Sequence, residues 1–101
     1  MARYIRIVNL WIQPGQEAAF EAFERDAARI MARHGGRIDS AVRVDGGGDL
    51  PFEVHVVSFP GPGEADSYAA DPETLSLRTR RTAIIARTES LEGREAGPYQ
   101  P

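Results

Sequence analysis

YIRIVNLWIQPGQEAAFEAFERDAARIMARHGG, residues 4–36, holds a strand, a stop and a helix in that order. Residues 4–13 are rich in β-branched and aromatic side chains, which suit an extended chain on a half-buried surface. Pro14-Gly15 ends the strand pattern. Phe20, Phe23, Ala27, Ile30 and Met31 then recur at helical spacing and make one apolar stripe. Glu17, Glu21 and Glu24 fall early in this helix and Arg25, Arg29 and Arg33 fall late, an order that suits the helix dipole. His34-Gly35-Gly36 closes the helix, because a glycine just past the last turn adopts the left-handed conformation cheaply.

Working outward, residues 37–44 predict a second strand, with Ile38, Val42 and Val44 on one face. Asp45-Gly46-Gly47-Gly48-Asp49 is a turn, and residues 52–59 predict a third strand. After Pro60-Gly61-Pro62-Gly63, a helix is expected over residues 64–70. Asp71-Pro72 reads as a cap plus a first-turn proline that restarts the helix over 73–80. A last strand is expected over 82–91, around Ala83-Ile84-Ile85-Ala86. The order β-α-β-β-α-β predicts a ferredoxin-like α+β domain over residues 1–93, with a four-stranded antiparallel sheet and both helices on one face. Residues 94–101 are expected to form a loose tail.

Side chains of a strand alternate between the two faces of its sheet. In the third strand the row Phe52, Val54 and Val56 is uniformly apolar and is expected beneath the helices, opposite the row Glu53, His55, Val57 and Phe59. In the first strand Val8, Leu10 and Ile12 oppose Ile5, Ile7, Asn9 and Trp11. On this reading the second sheet face is mixed and carries Ile5, Ile7, Trp11, Val57, Phe59 and Ile85. That is roughly several hundred Å² of apolar surface, the scale of an interaction patch. A second identical chain covers it economically, which predicts a homodimeric barrel. A cavity is expected between sheet and helices or inside the barrel.

A chain of 101 residues leaves room for a single core. A formal charge of −3 argues against a nucleic-acid or anionic-membrane partner. Cysteine is absent, which excludes disulfides and thiolate chemistry. No segment reads as a signal peptide or a membrane span, so a cytoplasmic location is expected. The two histidines, His34 and His55, stand without a clustered carboxylate pair, so neither a metal nor a cofactor is expected.

His55 is the candidate acid/base, since an imidazole exchanges protons near neutral pH. The alternative is a histidine satisfied by Glu53 or by a partner chain. Asn9 and Trp11 are candidate ligand-binding residues: a mid-strand asparagine needs a hydrogen-bond partner, and an indole offers a flat surface that equally suits a dimer interface. Arg81 is a candidate for binding a carboxylate, or else pairs with an acid such as Asp71; Arg87 on the last strand is comparable. His34 reads as a capping residue. The expected function is a homodimer that binds a small organic molecule, with any catalysis cofactor-free. The alternative is a non-catalytic interaction or regulatory module.

His34-Gly35-Gly36-Arg37, Ser58-Phe59-Pro60, Asp71-Pro72-Glu73 followed by Arg81, and the closing Glu92-Gly93 together resemble the dimeric α+β barrel superfamily. Within it the chain is most similar to the small bacterial proteins of domain-of-unknown-function family 1330, over roughly residues 4–93. The family pattern carries Glu-Gly after the second strand where Asp45-Gly46 stands here. The resemblance implies the fold and the dimer. Other superfamily members include cofactor-independent monooxygenases, haem-degrading enzymes and lactone isomerases, and no complete site of theirs maps onto this chain.

Overall fold

The apolar stripe of residues 20–31 becomes the buried face of the first helix: Phe20, Phe23, Ala27, Ile30 and Met31 are all shielded from solvent. Burying each of the larger side chains contributes about 1.5–3 kcal/mol. The computed structural model, which describes residues 2–101, has the order β1 (Tyr4–Ile12), α1 (Glu17–Ala32), β2 (Arg37–Arg43), β3 (Glu53–Phe59), α2 (Pro62–Ala70), α3 (Pro72–Ser76), α4 (Arg78–Ile84) and β4 (Ile85–Gly93). The sheet order is β2-β3-β1-β4, with each neighbouring pair antiparallel. This is the expected ferredoxin-like fold. The molecule is only 17 Å thick along its shortest axis, one sheet and one layer of helices, so one sheet face has no cover.

Three local readings need correction. Thr82, Ala83 and Ile84 belong to α4 rather than to the last strand. The helix holds them because Arg81 N–H donates to the Leu77 carbonyl at 2.8 Å and the Thr82 hydroxyl donates to the Arg78 carbonyl at 3.0 Å. The restarted helix is also two helices, α3 and α4, meeting at Leu77. The third correction concerns the faces of β3. The register pairs Val8 with His55, Leu10 with Glu53 and Arg6 with Val57, so Glu53, His55, Val57 and Phe59 lie beneath the helices. Val54 and Val56 face the open side with Asn9 and Ile7. Phe52, just before the strand, does pack on the core, edge-on to Phe20 with ring centroids 5.6 Å apart.

The end of α1 and the start of α3 are fastened to each other. Gly35 takes φ 73°, and Gly36 N–H donates to the Met31 carbonyl at 2.9 Å. Gly36 lies against the Phe59 ring, and a Cβ there would overlap it. Asp71 caps α3 by accepting from Glu73 N–H at 2.8 Å, and its other oxygen meets His34 Nε2 at 2.8 Å and Arg33 at 3.2 Å. These partners hold the Asp71 carboxyl below the usual carboxylate range, the His34 contact first. Arg29 and Arg33 also pair with Glu73.

Gly36→Ala is expected to force the buried Phe59 ring aside and to lower stability by about 1–3 kcal/mol. Chemical denaturation checks this. An unchanged midpoint would mean that Phe59 has room the structure denies it.

Candidate functional site

The layer between sheet and helices is two apolar clusters with a gap. One gathers Leu10, Phe20, Phe23, Ile84 and Ile85, and the other Met31, Val57, Phe59 and Ala65. Between them lies a cavity of about 390 Å³, walled by the sheet, α1 and the α2–α4 segment. That volume is within the range of small-molecule sites. Its floor is apolar, from Val8, Phe23, Ala27 and Val57.

The polar centre is His55. It is 3 % exposed, and its Nε2 lies 2.5 Å from Glu53 Oε2. The other Glu53 oxygen accepts from Arg43 Nε at 3.0 Å. A carboxylate already bonded to a guanidinium is an acceptor, so Nε2 carries the proton and donates it. The remaining ring nitrogen, Nδ1, faces Glu24 Oε2 of α1 at 3.9 Å. Both Glu24 and His55 line the cavity, while Glu53 stands behind the imidazole. Burial pushes the Glu24 carboxyl above its ordinary value, and Glu53 adds to this, against the opposing pull of His55 and Arg81. Tyr68, also on the wall, has its phenol raised by burial first and by Glu24 second.

The rim is cationic. Arg78 and Arg81 of α4 border the opening, together with Thr88 and Ser90 of β4. Arg81 donates to Thr88 Oγ1 at 2.9 Å. Thr74 of α3 lines the same cavity, but its Oγ1 is buried away from it and has no hydrogen-bond partner among the described residues.

The candidates read from the sequence therefore separate. His55 and Arg81 border the cavity. Asn9, expected beside His55, pairs instead with Val54 and Glu89 on the open sheet face. The antiparallel register sets His55 opposite Val8, so the two polar side chains point to opposite sides of the sheet. Trp11 and Arg87 are also on the open face, the guanidinium 3.8 Å above the indole ring, and Trp11 Nε1 donates to the Asp49 carbonyl at 3.0 Å. The expected Arg81–Asp71 pair is absent, since Asp71 is held by His34 and Arg33. Glu24 was missed as a site residue, although the signal was there. Residues 20, 24, 27 and 31 share one helix face, so a charged side chain interrupts the apolar stripe at Glu24. Among the described residues no cluster of histidine and carboxylate side chains is arranged to hold a metal ion.

Because folding raises the Glu24 carboxyl above its ordinary 4.5, the folded chain binds that proton more tightly than the unfolded chain. The stability tied to the proton is present in acid and is lost as pH rises through the folded value. Glu24→Gln is thus expected to raise the melting temperature, with a gain that grows as pH rises above the ordinary carboxylate value. A gain independent of pH, or a loss, would contradict the burial of this carboxyl.

No family model matches the sequence, and no curated protein matches it. Solved structures do. A dabb family protein with a ferredoxin-like fold from Mesorhizobium loti superposes at TM-score 0.68 with 15% identity, covering 96% of this chain and 100% of that one. A NIPSNAP domain protein from Burkholderia xenovorans gives 0.75 at 17% identity, covering 97% and 98%. A presumed antibiotic biosynthesis monooxygenase from Bacteroides thetaiotaomicron gives 0.68 at 17% identity, covering 98% and 91%. At these identities the likeness shows the fold. The narrower resemblance to family 1330 rests on the short motifs alone, while the ferredoxin-like fold it implies is shared with the solved structures.

Proposed function

We propose that the chain binds a small organic molecule in the cavity between sheet and helices and moves a proton on it without a cofactor. The observation that carries this is the Glu24–His55 pair, set beside the apolar floor of the cavity. Polar groups are costly to bury unless satisfied, and a core that keeps them beside an empty volume has a use for them. Glu53 fixes the imidazole with Nε2 protonated, which leaves the Nδ1 lone pair on the side of Glu24, at the cavity wall. Nδ1 is then the base that removes a proton from carbon next to a carbonyl. Glu24, biased to its acid form, donates to the carbonyl oxygen as the enol forms, and the reverse transfer returns both protons. This is isomerase-like chemistry, and the fold likeness to a presumed antibiotic biosynthesis monooxygenase supports reading the layer as a small-molecule site.

The second element of the proposal is a homodimer through the open sheet face. That face carries Ile5, Ile7, Trp11, Val54 and Val56, with Val42 and Leu91 more than half exposed. Val57, Phe59 and Ile85, first counted there, are core residues. The corrected face is still apolar enough to favour a copy of itself over water.

Ketonisation of the enols of phenylpyruvate and of its methyl ester tests the chemistry. The chain is expected to accelerate at least one of them over buffer, and Glu24→Gln and His55→Gln are each expected to remove about a hundred-fold or more of that rate. Glu24→Gln keeps the test clear of misfolding, since it is expected to be the more stable protein. No acceleration, together with no change in the amide NMR signals of the cavity residues, would contradict the proposal. For the dimer, light scattering is expected to give the mass of two chains, and Val56→Asp to shift it toward one. The mass of one chain for the unaltered protein would overturn that element.

A further inference from the structure

The cavity is more selective than its volume suggests. Three guanidiniums border it, Arg6, Arg78 and Arg81, against the single carboxyl of Glu24, which burial biases toward its neutral form. The chain as a whole has a formal charge of −3, so this rim is opposite in sign to the net charge. Arg6 is engaged elsewhere, with Tyr4 Oη at 3.1 Å and Glu92 at 3.5 Å. Arg78 and Arg81 make no ion pair among the described residues. They sit three residues apart on α4, one above the other on the same helix face. The adjacent arginine shows the contrast. Arg80 points the other way, meets Asp26 at 2.6 Å and lies over the Phe23 ring.

Arg81 is held in place by a neutral partner. Among the described residues its guanidinium makes one hydrogen bond, to Thr88 Oγ1, which leaves the rest of its donors for a ligand. The apolar floor beyond these groups comes from Val8, Phe23, Ala27 and Val57.

We infer that the ligand is an amphiphilic carboxylate, its anionic head held by Arg78 and Arg81 at the rim and its aryl or alkyl body laid along the apolar floor. Paired guanidinium donors match the geometry of a carboxylate. This deepens the proposed function and rests on the same cavity, but it is a separate claim about charge.

The test is NMR titration and calorimetry of the full chain with 3-phenylpropanoate and with its methyl ester, which differ in charge and not in body. The acid is expected to bind at least about ten-fold more tightly than the ester. Arg81→Gln and Arg78→Gln are each expected to cost the acid about ten-fold and leave the ester unchanged. Arg94→Gln, in the exposed tail, is expected to change neither. Added salt is expected to weaken the acid alone. Equal affinity for acid and ester, or acid affinity indifferent to both arginine substitutions, would overturn the charge claim and leave the cavity as a neutral-ligand site. Binding of neither probe at millimolar concentration would overturn both.

Discussion

The 2.5 Å contact between His55 Nε2 and Glu53 Oε2 is the constraint around which the layer beneath the helices is arranged. Two polar side chains two residues apart on β3 face the helices, where an apolar row would ordinarily lie. They are tolerable there because each satisfies the other and because Arg43 of β2 completes Glu53 from the sheet edge. Arg43 also lies over the Phe52 ring, 4.1 Å from its centroid, and reaches Glu21 of α1 at 3.3 Å. The polar network is thus tied to both the sheet and the helix. Apolar packing resumes on either side of it, as two clusters rather than one. The cavity is the interval between them.

The same constraint explains what could be read from the sequence and what could not. The order of elements was legible, because periodicity switches cleanly from strand to helix at Pro14-Gly15 and back at Gly35-Gly36. The buried stripe of α1 and the Asp71 cap were legible for the same local reasons. The faces of β3 were not. Alternation yields two rows but does not say which one turns inward, and apolarity pointed to Val54 and Val56. What brings the other row inward is tertiary: Arg43 and Glu24 lie 10 residues before Glu53 and on another element, respectively. With the face goes the site. His55 parts from Asn9 and Trp11 and joins Glu24, and Arg81 reaches the same cavity from α4.

Three of the short motifs that suggested a family, 34–36, 58–60 and 71–73, form one structural cluster, while Arg81 and Glu92-Gly93 lie apart from it. Gly35 and Gly36 lie against Pro60 and Phe59, His34 meets Asp71, and Tyr68 packs on both the His34 and Phe59 rings. Their work is to fasten α3 to the end of α1, and α3 and α4 are the roof and rim of the cavity. That is why the motifs speak to the fold and not to a reaction. The groups with chemistry to offer, Glu24, His55, Arg78 and Arg81, are mostly outside those motifs.

The account stands on His55 being buried, protonated at Nε2 and oriented by Glu53, with Nδ1 on the side of Glu24, at the cavity wall. Nitrogen-15 NMR of the imidazoles measures this directly. The expected result is a His55 Nε2–H signal that exchanges slowly with water, moves on Glu53→Gln substitution and cross-relaxes with Phe20, whose ring centroid is 6.2 Å away. A His55 imidazole in rapid exchange, with no contact to Phe20 and no response to Glu53→Gln, would contradict the account.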